Sequence, residues 1–184
     1  MNQLFDSYSI LWQSNHLHLN IGNIYYYIPN RSSLLLLSDG SFTKILDSII
    51  NNVTHIQLTR DQKIYRHIKY LNNWYSAIGL TMYRQGWLQE KSGYKLIFAS
   101  SWYKPEVLAN CPFVDVTPLG KVFINSELIL YRKLHCISCL CSKWFEKQFK
   151  FRGYIWSREY VLYHEKEPFI FIREFFSPKL TTNL

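Results

Sequence analysis

No stretch of this chain approaches the roughly eighteen to twenty apolar residues that a helix needs to cross a bilayer; the run Ser33–Leu37 falls far short. The first thirty residues contain no Lys or Arg and carry aspartate and histidine where a long apolar segment would be needed, which excludes a secretory signal and an Arg-rich transit peptide. The mature chain is therefore expected to start at Met1 and to be soluble. Glycine is scarce, with seven residues and no glycine-rich phosphate loop; a nucleophile elbow, a zinc-protease helix, internal repeats and low-complexity tracts are also missing. Phosphoryl transfer and serine hydrolysis lose ground accordingly. Only four cysteines occur, and the run HCISCLC (His135–Cys141) has no second CxxC or HxxxH to complete a structural zinc site. In a strand, Cys139 and Cys141 point one way and Cys136 the other, so ordinary buried thiols in a reducing compartment are expected.

What is present is a 184-residue chain that is 48% hydrophobic and 17% aromatic, enough for one globular domain with a water-excluding core. We expect a single domain over 1–184, with a peripheral segment over 1–30 and a core over 31–178. Twenty-one Lys and Arg against thirteen Asp and Glu give a net charge of +8, a balance that suits acidic small molecules, nucleic acid or anionic surfaces. The basic residues are scattered, with a loose concentration between Arg132 and Arg152, as on a solvated face rather than in a nucleic-acid groove. The richness in Ile, Phe, Tyr, Asn and Lys is what A+T-rich codons supply, and hints at an organelle genome.

Met1–Asn30 reads as irregular or weakly helical. Ser41 is a natural N-cap for a helix carrying Phe42, Ile45, Leu46, Ile49 and Ile50 on one stripe, with the first amides, at Phe42 and Thr43, left free to hold an anion. Val53–Leu58 alternates as a short strand, and Thr59 with Asp61 suggests a second helix through Ile64, Ile68 and Leu71. A strand over Ile78–Glu90, a turn at Lys91-Ser92-Gly93 and a strand over Tyr94–Trp102 form a hairpin. Thr117-Pro118-Leu119-Gly120 opens another helix, again with free amides near Leu119, that stops at Asn125 and Ser126. Glu127–Cys141 is β-compatible, and Lys143–Lys150 is a short helical or looped excursion. A second hairpin runs from Ser157–His164 over a turn at Glu165–Pro168 into Phe169–Phe176. The fold class is α+β: an antiparallel sheet flanked by helices.

Two charges stand out against this pattern. At the two-residue period of a strand, Arg84 shares a face with Ile78, Leu80, Met82, Gly86 and Leu88. Burying its guanidinium alone costs several kcal/mol, so it needs a carboxylate from the protein or from a ligand. The alternative is an edge strand whose arginine reaches back to water along its methylenes. Glu174 stands in the same way among Ile170, Ile172 and Phe176, where burial raises a carboxyl pKa unless a basic or hydrogen-bonding group meets it.

The segments GSFTKIL (Gly40–Leu46), YRQGWL followed by GYKLIFASSWY (Tyr83–Tyr103), TPLGKVF (Thr117–Phe123), and RGYIWSREYVLY with EPFIFIREFFSP (Arg152–Pro178) follow one another in an order that resembles the chorismate pyruvate-lyase family, in particular its short plastid and cyanobacterial members. The resemblance implies a sheet with helices closed over a buried product. It implies loss of the enolpyruvyl ether of chorismate as pyruvate, with aromatisation to 4-hydroxybenzoate and with no metal or other cofactor. It also implies site roles. Arg84 matches the arginine that, with the backbone amides at Phe42 and Leu119, holds the ring carboxylate; Glu174 matches the glutamate at the opposite end, near C4. Phe42 stands where bacterial members commonly have methionine, and the segment from Arg132 to Arg152 is expanded. Arg158 and Arg173 are candidates for the second carboxylate of chorismate, though each reads more simply as solvent-facing.

The expected function is thus a carbon–oxygen lyase making 4-hydroxybenzoate as the head-group precursor of a plastoquinone-type quinone, in a plastid (chloroplast) and organelle-encoded. Its expected partner is chorismate, with a monomeric protein, no nucleic acid and no membrane span. The alternative is a non-catalytic aromatic-acid-binding module of the same fold, as in the effector domains of some transcription regulators; a third and weaker reading is a basic, aromatic-rich nucleic-acid binder.

Overall fold

The computed structural model describes residues 8–14, 28–38, 42–52, 54–63, 82–108, 117–125 and 128–182. Within them lies an antiparallel seven-stranded sheet, β1 (Ser9–Gln13), β2 (His55–Lys63), β3 (Met82–Gln89), β4 (Lys95–Tyr103), β5 (Tyr131–Cys141), β6 (Ile155–His164) and β7 (Glu167–Phe176), in the order β1-β5-β6-β7-β4-β3-β2. Helices α1 (Asn30–Leu36), α2 (Phe42–Ile50), α3 (Leu119–Asn125), α4 (Lys143–Phe149) and α5 (Pro178–Thr182) complete the α+β architecture.

Both hairpins form where turn chemistry allows them. Gly93 takes a φ of 81° between β3 and β4. Between β6 and β7 the turn is confined to Glu165 and Lys166, both at positive φ (50° and 69°), the pair that a two-residue hairpin demands. The expected turn over Glu165–Pro168 is therefore shortened. Glu167 and Pro168 belong to β7, and Pro168 falls where the register slips, so its missing N–H removes no regular ladder bond.

Two other readings are corrected. Ser9–Gln13, expected to be irregular or weakly helical, is an edge strand paired with β5; its mostly exposed residues owe their conformation to that distant partner rather than to any local periodicity. Thr59 and Asp61 do not start a helix. β2 continues through them because a bulge between Leu58 and Arg60 absorbs Thr59, whose hydroxyl donates to the Gln85 carbonyl at 3.2 Å. Residues 64–71 and the Ser41 cap lie outside the described residues, as do Cys111 and residues 78–81. The α1 helix has no sequence counterpart above: Pro29 precedes it and no side chain caps it.

The excursion at Lys143 is helical because Ser142 accepts a bond from the Phe145 amide and Lys150, at φ 52°, ends it in the left-handed conformation. On one face of the sheet, α4 covers Trp87, Phe98, Leu140 and Phe175 with Phe145 and Phe149. On the other face the apolar side chains form two separate clusters. One, around Leu46, Leu88, Ile97, Trp156 and Phe176, lies beneath α1 and α2; the other, around Val122, Phe123, Tyr160, Leu162 and Ile170, lies beneath α3. Cys139 joins the first cluster, and Cys136 bonds to Gln13 and Ser138 instead, as strand alternation requires. Among the described residues no group of three His, Cys, Asp or Glu is placed to hold a metal ion.

Candidate active site

Between the two clusters lies a cavity of about 270 Å³, a size that suits a single-ring ligand. Its floor is the sheet face carrying Arg84 and Gly86 of β3, Ala99 and Ser101 of β4, Ile172 and Glu174 of β7, and Tyr160 and Leu162 of β6; Phe42, Thr43, Pro118, Leu119 and Gly120 close it from above. Strand register puts these residues together: Arg84 lies opposite Ser101, Gly86 opposite Ala99, Ala99 opposite Glu174, and Glu174 opposite Arg158.

Arg84 faces inward at 2% exposure, so the edge-strand alternative, with its head in water, does not hold. One Nη2–H donates to the Thr117 carbonyl at 3.1 Å, which ties the guanidinium to the chain entering α3. Gly86 is the residue beside it for a steric reason: a Cβ there would stand 2.9 Å from the Gln57 carbonyl oxygen of β2.

The starts of α2 and α3 meet above the floor. A Cβ on Gly120 would lie 2.5 Å from Thr43 Oγ1, so glycine is what lets the two first turns touch. Lys121 Nζ locks them through Asp47 Oδ2 at 2.8 Å, while Asp47 Oδ1 accepts from both the amide and the hydroxyl of Thr54. Burial alone would push the Asp47 carboxyl up, but the Lys121 and Thr54 donors outweigh it and hold it below the ordinary carboxylate range. The first amides of any helix have no acceptor within that helix, and here both first turns line one cavity.

Glu174 is 5% exposed and is met from behind by Arg158, whose Nε donates to Oε2 at 2.7 Å; the Tyr160 hydroxyl donates to Oε1 at 3.2 Å. Burial, then the neighbouring Glu174 charge, raises the Tyr160 pKa, so its phenol keeps its proton and remains a donor. The solvent-facing reading of Arg158 is overturned: it is 1% exposed, and its Nη1 donates to the carbonyl of Leu35 at 2.7 Å and to Ser38 Oγ at 3.2 Å. The carbonyls of Leu35 and, at 3.5 Å, Leu36 lie in the last turn of α1, where no amide of the helix reaches them and the dipole favours a cation. The rings of Phe42, Tyr160 and Phe176 surround the guanidinium at 4.5, 5.1 and 5.5 Å. Arg173 is on the opposite face of the sheet, in an ion pair with Glu159.

The four residues singled out from sequence, Arg84, Glu174, Phe42 and Leu119, therefore line one cavity. Tyr160 and Arg132 also line it and have no site role in the reading from sequence, and Arg158, a candidate there for the second carboxylate, instead stands behind Glu174. The signal for each was the alternation that marked Arg84, since Arg158 and Tyr160 share a period-2 face with Trp156 and Leu162, and Arg132 lies between Leu130 and Leu134.

The model of the family described as "Chorismate pyruvate-lyase Rv2949c-like" matches residues 36–184. Among curated proteins, "Uncharacterized protein ycf21" of Porphyra purpurea is 34% identical over 156 residues, covering 83% of this chain and 84% of the relative. The ycf21 protein of Antithamnion sp. is 31% identical over 156 residues, covering 84% and 82%. Among solved structures, the gene product SA0254 of Staphylococcus aureus superposes with a TM-score of 0.54 over 78% of this chain and 92% of its own, at 9% identity; that likeness concerns the fold alone.

Proposed function

The chain belongs to the chorismate pyruvate-lyase Rv2949c-like family, and from that premise we propose that it converts chorismate to 4-hydroxybenzoate and pyruvate. The observation that carries the reading is the cavity to which two separate hairpins contribute one buried cation, Arg84, and one buried acid, Glu174.

Chorismate carries its ring carboxylate at C1, an enolpyruvyl ether at C3 and a hydroxyl at C4. In the proposed reaction the C3–O bond breaks with its electron pair going to the leaving enolpyruvate, and the C4 proton is lost as the ring becomes aromatic. The enol then takes a proton at its methylene carbon and becomes pyruvate, so the step is balanced without an added oxidant or reductant. Arg84 and the first amides of α2 and α3 grip the C1 carboxylate, because charge-assisted bonds gain strength where water is excluded. Glu174 faces C4 as the base. Each carboxylate oxygen takes one protein donor and keeps a lone pair for the substrate proton. Arg158 positions that carboxylate without lining the cavity.

The same reading includes a plastid setting and use of the product in a plastoquinone-type quinone, supported by the family resemblance and the A+T-linked composition. Incubating the purified chain with chorismate tests the reaction: pyruvate and 4-hydroxybenzoate should appear in equal amounts. Binding of 4-hydroxybenzoate with no pyruvate released would instead identify a non-catalytic aromatic-acid-binding module.

A further inference from the structure

We propose that Arg132 is the anchor for a second carboxylate, which makes the cavity selective for dianions whose two acidic groups lie at opposite ends; this deepens the lyase reading and rests on it. Across the sheet face the polar side chains lining the cavity run from Arg84 on β3, through Glu174 on β7 and Tyr160 on β6, to Arg132 on β5. Four inter-strand steps separate the two arginine backbones, roughly 19 Å on a flat sheet, so a single carboxylate does not bridge them. A chorismate molecule repeats that order: ring carboxylate, ring, the C3–C4 edge where bonds change, and the enolpyruvyl carboxylate beyond it.

Arg132 is built for the far end. Its Nη1 donates to the Ser38 carbonyl at 2.6 Å, and its guanidinium stacks over the Tyr160 ring at 4.4 Å, which fixes the head group beside the hydroxyl that contacts Glu174. Its Nε is buried and donates to no acceptor among the described residues. The nearest carboxylate in this row, Glu174, is already matched by Arg158, so among the described residues Arg132 meets only a carbonyl and a ring. Arg158 and Arg173 are otherwise engaged, Arg158 in the buried pair and Arg173 on the other face.

The test compares chorismate, which has both carboxylates, with 4-hydroxybenzoate, which has only the ring carboxylate. In Arg132→Met the KM for chorismate should rise about 10- to 100-fold while the inhibition constant of 4-hydroxybenzoate stays within about twofold of the parent. Arg132→Lys, which keeps the charge but not the fork, should recover part of the loss. Unchanged 4-hydroxybenzoate binding also reports that the variant pocket is folded. An unchanged chorismate KM in Arg132→Met, or equal weakening of both ligands, would overturn the assignment. If the parent protein itself neither binds nor turns over chorismate, the lyase reading fails, an outcome separate from either of these.

Discussion

Strands β6 and β7 carry two ion pairs on adjacent rungs, Arg158 opposite Glu174 and Glu159 opposite Arg173, built from the same two residue types at the same 2.7 Å separation. Being one residue apart, they project from opposite faces of the sheet. The first pair is nearly sealed, with side chains 1% and 7% exposed, and is continued by Tyr160 and the carbonyls closing α1; the second is 14% and 21% exposed. Identical chemistry therefore does two jobs. On the face where the apolar core divides in two, the pair presents a carboxylate to a cavity; on the other face it ties neighbouring strands together.

The largest expected effect follows from that contrast. Arg158→Met leaves Glu174 buried without its cation and should destabilise the fold by about 3–5 kcal/mol in denaturant titration, whereas the double variant with Glu174→Leu should recover most of the loss. Gly120→Ala pits a new methyl against Thr43 Oγ1 where α2 and α3 meet. It should cost about 1–3 kcal/mol and be relieved by Thr43→Ala. Arg173→Met should cost about 1 kcal/mol by the same titration and leave chorismate kinetics untouched. A loss from Arg173→Met as large as that from Arg158→Met would break the distinction between the faces.

The smallest effect is a pH dependence. Because the folded Asp47 pKa lies below its ordinary value, the stability it contributes is present above the ordinary carboxylate pKa and is lost as pH falls through the lowered one. The stability difference between the parent and Asp47→Asn should be constant near neutrality and shrink as pH falls below the ordinary carboxylate pKa. A difference that grows on acidification would mean that Lys121 and Thr54 do not stabilise the carboxylate.

Much of this site was legible in the residues. Arg84 and Glu174 each interrupt an alternating apolar row, and the turns at Gly93 and Glu165-Lys166 set the hairpins that bring those rows onto one face. Arg158 obeys the same alternation, yet charged residues crowd its neighbourhood and only the register across β6 and β7 reveals which of them face inward. The carbonyls that hold it come from α1, a seven-residue helix preceded by Pro29 without a side-chain cap, so local signals for that element are weak. Strand β1 has mostly exposed side chains and exists because β5 offers it a ladder, a partnership no local window contains.

In the proposed reaction two groups divide the work: Arg84 holds the ring carboxylate and Glu174 acts where bonds change. Steady-state kinetics of chorismate turnover by Arg84→Ala and Glu174→Gln test it most directly. We expect Arg84→Ala to act mainly on KM and Glu174→Gln to lower kcat by about 10²- to 10⁴-fold with KM little changed. Parent-like kcat in Glu174→Gln, or the same fall in kcat with unchanged KM in both variants, would contradict the account.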